Sequence, residues 1–335
     1  MNVAINGFGR IGRSAFKALL ERRAVKVVAI NDLTDPAALA HLLTWDSCYG
    51  RYGHKVLSGS DYVAVDNIKY PIYAQKDPAA LPWKKLKVDV VIEATGFFTN
   101  REGASAHIRA GARKVIISAP AKGGEVPTIV LGVNEEIIKI QDKILSMASC
   151  TTNCLAPVTA VINREIGIKK AIMSTVHSYT ADQNLVDGPH KDWRRARAAA
   201  INIVPTTTGA AVAVTETLPV LKNKFDGLAL RVPTAVGSIA DMTFLLARPA
   251  TVEQINKILT KASQSSRLKG ILAVTNDPVV SSDIVGNPAS SIVDLPLTKV
   301  VAGDLAKIVS WYDNEWGYAN RLADLCVCLA KKKLL

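Results

Sequence analysis

The hexapeptide Gly7-Phe8-Gly9-Arg10-Ile11-Gly12 limits what this chain can fold into more than any other feature. It follows a short apolar strand pattern at 3–6 and leads into a helical pattern at 13–22. A second strand pattern, KVVAIN at 26–31, ends just before Asp32, about 20 residues past Gly12. That spacing describes a strand–turn–helix–strand unit that holds a dinucleotide. Each part has a physical task. Gly7 makes the tight turn, Gly9 lets a pyrophosphate approach the backbone, and Gly12 lets helix and strand pack closely. The helix N-terminus offers N–H groups and partial positive charge to the phosphates. The Asp32 carboxylate accepts from ribose hydroxyls and would repel a 2′-phosphate, which favours NAD over NADP.

The rest of the chain suits two domains, given its 335 residues. Its 49% hydrophobic and 21% charged residues are those of a globular protein, which excludes wholesale disorder. No apolar run approaches the roughly 18 residues of a membrane-spanning helix. The first residues lack the basic and apolar regions of a signal peptide. The cysteines are Cys48, Cys150, Cys154, Cys326 and Cys328. They are odd in number and lack zinc-finger spacing, which points to a reducing compartment and to no metal site. Lysine and arginine total 41 against 29 acidic residues, a net charge of +12. That balance suits anionic ligands or nucleic acid, but the charges are dispersed and no aromatic–basic stripe accompanies them.

Up to residue 148, continuous apolar strands alternate with helical patterns such as 37–43. Further strands read at 88–93, 114–118 and 128–132. Strands of this kind are buried on both faces, so the fold class is α/β with a parallel sheet. Residues 54–73 alternate instead around Asp66-Asn67, and predict an antiparallel hairpin inserted in the sheet domain. From 149 to 313 the pattern changes. Helices at 151–165 and 252–264 accompany strands at 169–176, 226–232, 238–248, 291–293 and 305–312. They predict an α+β domain with a mostly antiparallel sheet. Between them lies a weakly patterned, basic stretch at 178–205, long enough to suggest a functional loop. A last helix within 314–335 carries basic residues in its final turn, which suits the helix dipole.

Ser149-Cys150-Thr151-Thr152-Asn153-Cys154 follows a strand and leads into a helix. Ser149 suits the N-cap, which places Cys150 in the first turn. There the dipole favours a thiolate and lowers the thiol pKa. Cys154 lies one turn deeper and suits burial. His177, at the C-terminal end of a strand, can accept the thiol proton and stay beside the sulfur as a cation. Nothing in the spacing itself joins the two. His41, His54 and His190 lie among polar or basic residues, and His107 lies within a helix. Thr180, Arg194, Arg195, Arg197, the run Thr206-Thr207-Thr208-Gly209 and Arg231 offer hydroxyls, helix-start backbone and guanidinium groups to anions.

Ten runs occur in order over essentially the whole chain: INGFGRIGR (5–13), IND (30–32), ATGFF (94–98), SAPA (118–121), ASCTTNC (148–154), HSYTADQ (177–183), RRARAAA (194–200), PTTTGAA (205–211), LRVPT (230–234) and WYDNEWGYANR (311–321). Together they resemble the phosphorylating glyceraldehyde-3-phosphate dehydrogenases. The resemblance implies a Rossmann-type NAD-binding domain at 1–148, completed by the C-terminal helix 314–335, and a catalytic and oligomerisation domain at 149–313. It implies a cytoplasmic, glycolytic homotetramer in which the 178–200 loop packs across a subunit interface. The implied reaction is oxidation of D-glyceraldehyde 3-phosphate with NAD and inorganic phosphate to 1,3-bisphosphoglycerate, through a hemithioacetal and a thioester. Cys150 then stands as nucleophile and His177 as base. Ser149, Thr151, Thr208 and Gly209 fall on positions for the attacking phosphate. Thr180, Arg195 and Arg231 fall around the substrate phosphate. Gly7, Gly9, Arg10, Ile11, Gly12, Asp32, Lys76, Thr95, Ser118 and Asn314 fall on cofactor positions. Ala181, Gly188 and Val212 depart from residues common in the family. Erythrose-4-phosphate dehydrogenase shares INGFGRIGR and ASCTTNC, but Tyr179-Thr180 and PTTTGAA favour the triose enzyme. A dinucleotide-fold protein that binds nucleic acid or senses redox state is the reading from a different class.

Overall fold

The apolar run at the N-terminus forms β1 (Asn2–Asn6), buried from Val3 onward, and the glycine turn after it opens α1 (Arg10–Leu20). The computed structural model describes residues 1–335, which divide into two units. The first comprises Met1–Ile129, Glu136–Ala148 and Ala319–Leu335; the second comprises Val130–Glu135 and Ser149–Tyr318.

In the first unit, β2 (Lys26–Asn31) and α2 (Pro36–Thr44) follow, then a small pair, β3 (Trp45–Asp46) and β4 (Gly50–Arg51). Next come β5 (Val56–Ser58), β6 (Tyr62–Val65), β7 (Ile68–Tyr73), β8 (Val90–Glu93), α3 (Arg101–Arg109), β9 (Lys114–Ile117) and β10 (Ile144–Ser146). The main sheet runs β10-β9-β8-β1-β2-β7-β6-β5. Pairing is parallel from β10 to β7 and antiparallel from β7 to β5. Within the 54–73 region, β6 and β7 form the expected antiparallel hairpin around Asp66-Asn67. β5 adds a third strand to make a meander, and β7 joins β2 in parallel and extends the sheet. Asp66 and Asn67 both take positive φ at the hairpin's tight turn, as residues of this type tolerate.

The strand expected at 128–132 does not form. Thr128 makes only an isolated bridge with Ser146. Beyond it the backbone turns: the Val130 amide donates to Asn134 Oδ1, the Gly132 amide donates to Glu135 Oε2, and Gly132 sits at φ 81°. Local side-chain acceptors thus win over a ladder.

The second unit contains α4 (Cys150–Glu165), β11 (Ile168–Ser178), β12 (Val204–Thr206), α5 (Ala210–Thr217), β13 (Phe225–Val232), β14 (Ser238–Leu246) and α6 (Val252–Ser263). They are followed by β15 (Leu272–Thr275), β16 (Ser291–Asp294), β17 (Lys299–Val301) and β18 (Leu305–Tyr312). The sheet order is β12-β13-β11-β14-β18-β16-β15, with β17 beside β18. Most pairs are antiparallel; β11–β13 and β15–β16 are parallel. Burial alternates strictly along β14, as a sheet with one face on the core requires. No helix or strand forms between Ser178 and Val204. The last helix, α7 (Trp316–Lys331), starts in the second unit and ends in the first.

The glycine turn shows how tightly β1 and α1 meet. A Cβ on Gly12 would lie 2.0 Å from the Gly7 carbonyl oxygen, whereas a Cβ on Gly9 would meet nothing within 4 Å. Gly12→Ala should therefore destabilise the fold by about 1–3 kcal/mol, the usual cost of overpacking. Gly9→Ala should cost less than about 1 kcal/mol, since only a helix cap changes. Equilibrium urea unfolding of the two variants checks the difference, and equal losses would contradict it.

Candidate active site

Ala148 takes a left-handed conformation at φ 54°, and the chain then enters α4. The Ser149 hydroxyl caps the helix by accepting from the Thr152 amide at 3.0 Å. This places half-buried Cys150 in the first turn. Its Sγ lies 3.4 Å from His177 Nε2. His177 arrives there on β11, whose parallel register with β13 sets it opposite Arg231. The ring is buried and forms a T-shaped pair with Tyr312, at 5.9 Å between centroids. The Tyr312 hydroxyl ties the elements together, 2.8 Å from Thr151 Oγ1 and 2.9 Å from Thr175 Oγ1.

His177 Nδ1 lies 2.6 Å from the Ser178 carbonyl oxygen. A proton on Nδ1 donates to that carbonyl and leaves the Nε2 lone pair facing the thiol, the arrangement a base needs. Arg231 Nη1 also donates to the Ser178 carbonyl at 3.1 Å; it stands 2.8 Å from Nδ1, but with the proton on Nδ1 no hydrogen bond joins the two and the guanidinium acts on the ring through its charge. Burial, and then the Arg231 charge, lower the His177 pKa to about 3, so the ring is neutral near pH 7. Burial pushes the Cys150 thiol up from its ordinary value. The Arg231 charge and the hydrogen bonds at the helix start pull it back only in part. The direction is thus opposite to the lowered pKa expected from the helix start, because desolvation outweighs the Arg231 charge and the helix-start hydrogen bonds. Cys154 is fully buried, with its thiol against Ser291 and Ser310, and burial pushes it up to about 12.

Two anion-binding candidates are brought together by a residue the sequence did not single out. The Asp182 carboxylate accepts from the Thr180 hydroxyl and from Arg195 Nη1. Arg195 Nε donates to Thr206 Oγ1 at 2.9 Å, and Nη2 to the Thr207 carbonyl at 3.2 Å. Burial works against the Asp182 carboxylate, but the Thr180 hydroxyl, Arg195 and Arg231 outweigh it and keep its pKa below the ordinary value. Thr208 Oγ1 accepts from the Ala210 amide at 3.1 Å, and Gly209 is the N-cap of α5 with no capping side chain. Arg197 pairs instead with exposed Asp187.

The dinucleotide candidates of the first unit follow the C-terminal ends of its parallel strands, where open α/β sheets bind ligands. Gly7 follows β1, Asp32 follows β2, exposed Lys76 follows β7, Thr95 follows β8 and Ser118 follows β9. Asp32 accepts from the Phe8 amide at 2.7 Å and the Thr34 amide at 2.9 Å, which fixes its carboxylate beside the glycine turn. Arg10 pairs with Asp46, and Ile11 is half-buried. Gly9 caps α1 without a side chain and has open space above its Cα. A pyrophosphate fits that opening and a ribose fits Asp32, so the residues present suit NAD. In the second unit, Asn314 Oδ1 accepts from the Gly237 amide and the Ser238 hydroxyl, so its Nδ2 is left as the donor.

Most of the chain matches known proteins. Residues 1–101 match the glyceraldehyde 3-phosphate dehydrogenase NAD-binding domain, and residues 149–314 match the C-terminal domain of the same family. The chain belongs to the glyceraldehyde-3-phosphate dehydrogenase family. The protein of that name from Mycolicibacterium smegmatis is 55% identical over 339 residues, covering 99% of both chains. That from Mycobacterium tuberculosis is 55% identical over 338 residues, with the same coverage. That from Borreliella burgdorferi is 53% identical over 337 residues, covering 99% of this chain and all of the relative. The family fold, a Rossmann-type domain with an α+β domain, is the one described above, and the cofactor of its N-terminal domain is NAD.

Two residues of this glyceraldehyde-3-phosphate dehydrogenase site escaped sequence reasoning. Asp182 lay inside HSYTADQ but pointed to no chemistry without Thr180 and Arg195 beside it. Tyr312 lay inside WYDNEWGYANR, and only the fold brings it to His177. The buried neutral imidazole has a consequence for acid stability. His177 ionises freely when unfolded, at 6.5, but only at about 3 when folded. The unfolded chain therefore binds the extra proton as pH falls through that window, and stability drops. His177→Asn should flatten the loss of thermal stability between pH 6.5 and 4. An unchanged slope of melting temperature against pH would refute this.

Proposed function

We propose that this chain oxidises D-glyceraldehyde 3-phosphate to 1,3-bisphosphoglycerate with NAD and inorganic phosphate. The observation that carries the reading is the Cys150–His177 pair at 3.4 Å at the start of α4. As Sγ attacks the aldehyde carbon, Nε2 takes the thiol proton and returns it to the carbonyl oxygen, giving a hemithioacetal on Cys150. Neutral His177 then takes the hydroxyl proton as a hydride leaves. NAD, when bound, supplies the hydride acceptor. The thioester left on Cys150 is attacked by phosphate, and sulfur departs as a thiolate that Arg231 and the protonated ring stabilise. The Cys150 backbone N–H and protonated His177 stabilise the oxyanion in this reading. In this reading Thr180, Arg195 and Arg231 hold the substrate phosphate, and Ser149, Thr151, Thr208 and Gly209 hold the attacking one. Gly7, Gly9, Arg10, Ile11, Gly12, Asp32, Lys76, Thr95, Ser118 and Asn314 hold NAD.

The assembly we propose is a cytoplasmic homotetramer. Leu185, Val186, Trp193, Ile201 and Ile203 on the 178–205 stretch are 67–86% exposed. Apolar side chains so clustered along one segment mark an interface. Four identical chains commonly pair with D2 symmetry. Light scattering at micromolar concentration should return four chains, and a fully active monomer would exclude the proposal. No helix is long and apolar enough to cross a membrane.

NADH formation with glyceraldehyde 3-phosphate should require phosphate for turnover, and should exceed that with erythrose 4-phosphate. Equal or better turnover of the tetrose would favour erythrose-4-phosphate dehydrogenase. Cys150→Ser should keep fold and NAD binding but lose oxidation, while His177→Asn should slow hydride transfer by roughly 10²–10⁴. Iodoacetamide should label Cys150 before Cys154, with peptide mapping as the check. An active Cys150→Ser enzyme would overturn the mechanism.

A further inference from the structure

Beneath the glycine turn of the first unit lies a buried hydrogen-bond chain that the mechanism does not use. Its centre is Glu93, at the end of β8 and 1% exposed. Glu93 Oε2 accepts from Asn6 Nδ2 at 2.5 Å and lies 3.0 Å from Nε2 of His107, on α3. Glu93 Oε1 accepts from both the backbone amide, at 2.8 Å, and the hydroxyl of Thr95. On the far side of the imidazole, Trp83 Nε1 lies 3.0 Å from His107 Nδ1. An indole N–H can only donate. His107 Nδ1 must therefore accept, and the ring's proton sits on Nε2, aimed at Glu93. Upstream the direction is equally fixed. Asn31 Oδ1 accepts from the Gln75 amide at 2.9 Å, Asn31 Nδ2 donates to Asn6 Oδ1 at 2.7 Å, and Asn6 Nδ2 is thereby committed to Glu93.

The chain thus links the C-terminal ends of β2, β1 and β8, and Asn6, His107 and Thr95 all donate to one carboxylate. Its output is Thr95. The Phe97 amide donates to Thr95 Oγ1 at 3.1 Å, which leaves the hydroxyl proton for Glu93. Thr95 also abuts the cofactor turn: a Cβ on Gly7 would come within 2.7 Å of the Thr95 nitrogen. We infer that Glu93, His107 and Trp83 are positioning residues that hold Thr95 and the Gly7 turn in the geometry that receives the dinucleotide. This rests on the assignment of Thr95 to the cofactor site. A fully satisfied buried network of this kind rigidifies what it touches, and a broken one leaves a donor without a partner.

The test is NAD affinity of the full-length protein by calorimetry, alongside melting temperature and the rate of Cys150 alkylation without NAD. His107→Gln keeps an acceptor for Trp83 and a donor for Glu93, and should bind NAD within about threefold of the unsubstituted protein. His107→Leu keeps neither, and should raise the Kd about tenfold or more, as expected when a buried donor loses its partner. Trp83→Phe, which removes the donor that fixes the His107 tautomer, should raise it too. Cys150 alkylation should not change in any of the three. A folded His107→Leu protein with unchanged Kd would show the chain to be structural only and would overturn the inference. So would equal losses in the Gln and Leu variants. If His107→Leu does not fold, Trp83→Phe decides by the same measure. Failure of the unsubstituted protein to bind NAD would instead sink the cofactor assignment on which the inference rests.

Discussion

The register between β11 and β13 is the constraint on which the candidate active site depends. In a parallel ladder each residue has a fixed neighbour, and here His177 faces Arg231. A slip of one residue would send the side chains of the strand that moved to the opposite face of the sheet. A slip of β11 would take the imidazole from Cys150, and a slip of β13 would take the guanidinium from the Ser178 carbonyl. The register is anchored from the other edge as well, since β14 pairs with β11 through Thr175 opposite Ala240 and Val176 opposite Ile239. A central strand held on both sides is a stiffer platform than a loop, and a base must hold its place to within a fraction of an ångström.

Burial and charge act against each other throughout this site. Desolvation raises the thiol of Cys150 and lowers the imidazole of His177, so both groups are neutral when the pair is at rest. The cost of forming charge is then met during the reaction, when Arg231 lies beside both. The same cation lowers the affinity of His177 for a lasting proton, which suits a group that must accept one and give it back. Asp182 plays the corresponding part among the cations. It occupies Thr180 and Arg195 together, as an incoming phosphate would in the proposed mechanism. The pocket is therefore organised around an anion through its own residues, and a phosphate arriving there exchanges partners rather than creating them.

Local patterns carried much of this into the sequence. The glycine turn, Asp32 and the Ser149 cap are defined by residues within a few positions of one another, so their geometry is read directly. Continuous apolar strands marked the parallel sheet for the same reason. What depends on distant partners was illegible. Cys150 and His177 are 27 residues apart and meet only because β11 returns beside the start of α4. The run at 128–132 looked extended from its apolar residues, but Asn134 and Glu135 captured its amides. His107 read as one more histidine on a helix. Its role emerges only when Trp83, from a separate segment, fixes which ring nitrogen holds the proton.

Cys150 and Cys154 show why the helix dipole alone cannot designate a nucleophile. They share one helix and lie about one turn apart. In both, burial raises the thiol, and the first-turn position does not spare Cys150. The difference lies in what each sulfur meets. Cys154 faces the hydroxyl of Ser291 and the carbonyl of Ser310, groups that can share a hydrogen bond but cannot take a proton away. Cys150 faces a neutral nitrogen with a lone pair, with a guanidinium nearby to stabilise the charge that results. The first position of the helix therefore sets where the sulfur points, and its reactivity comes from the imidazole delivered by a different strand.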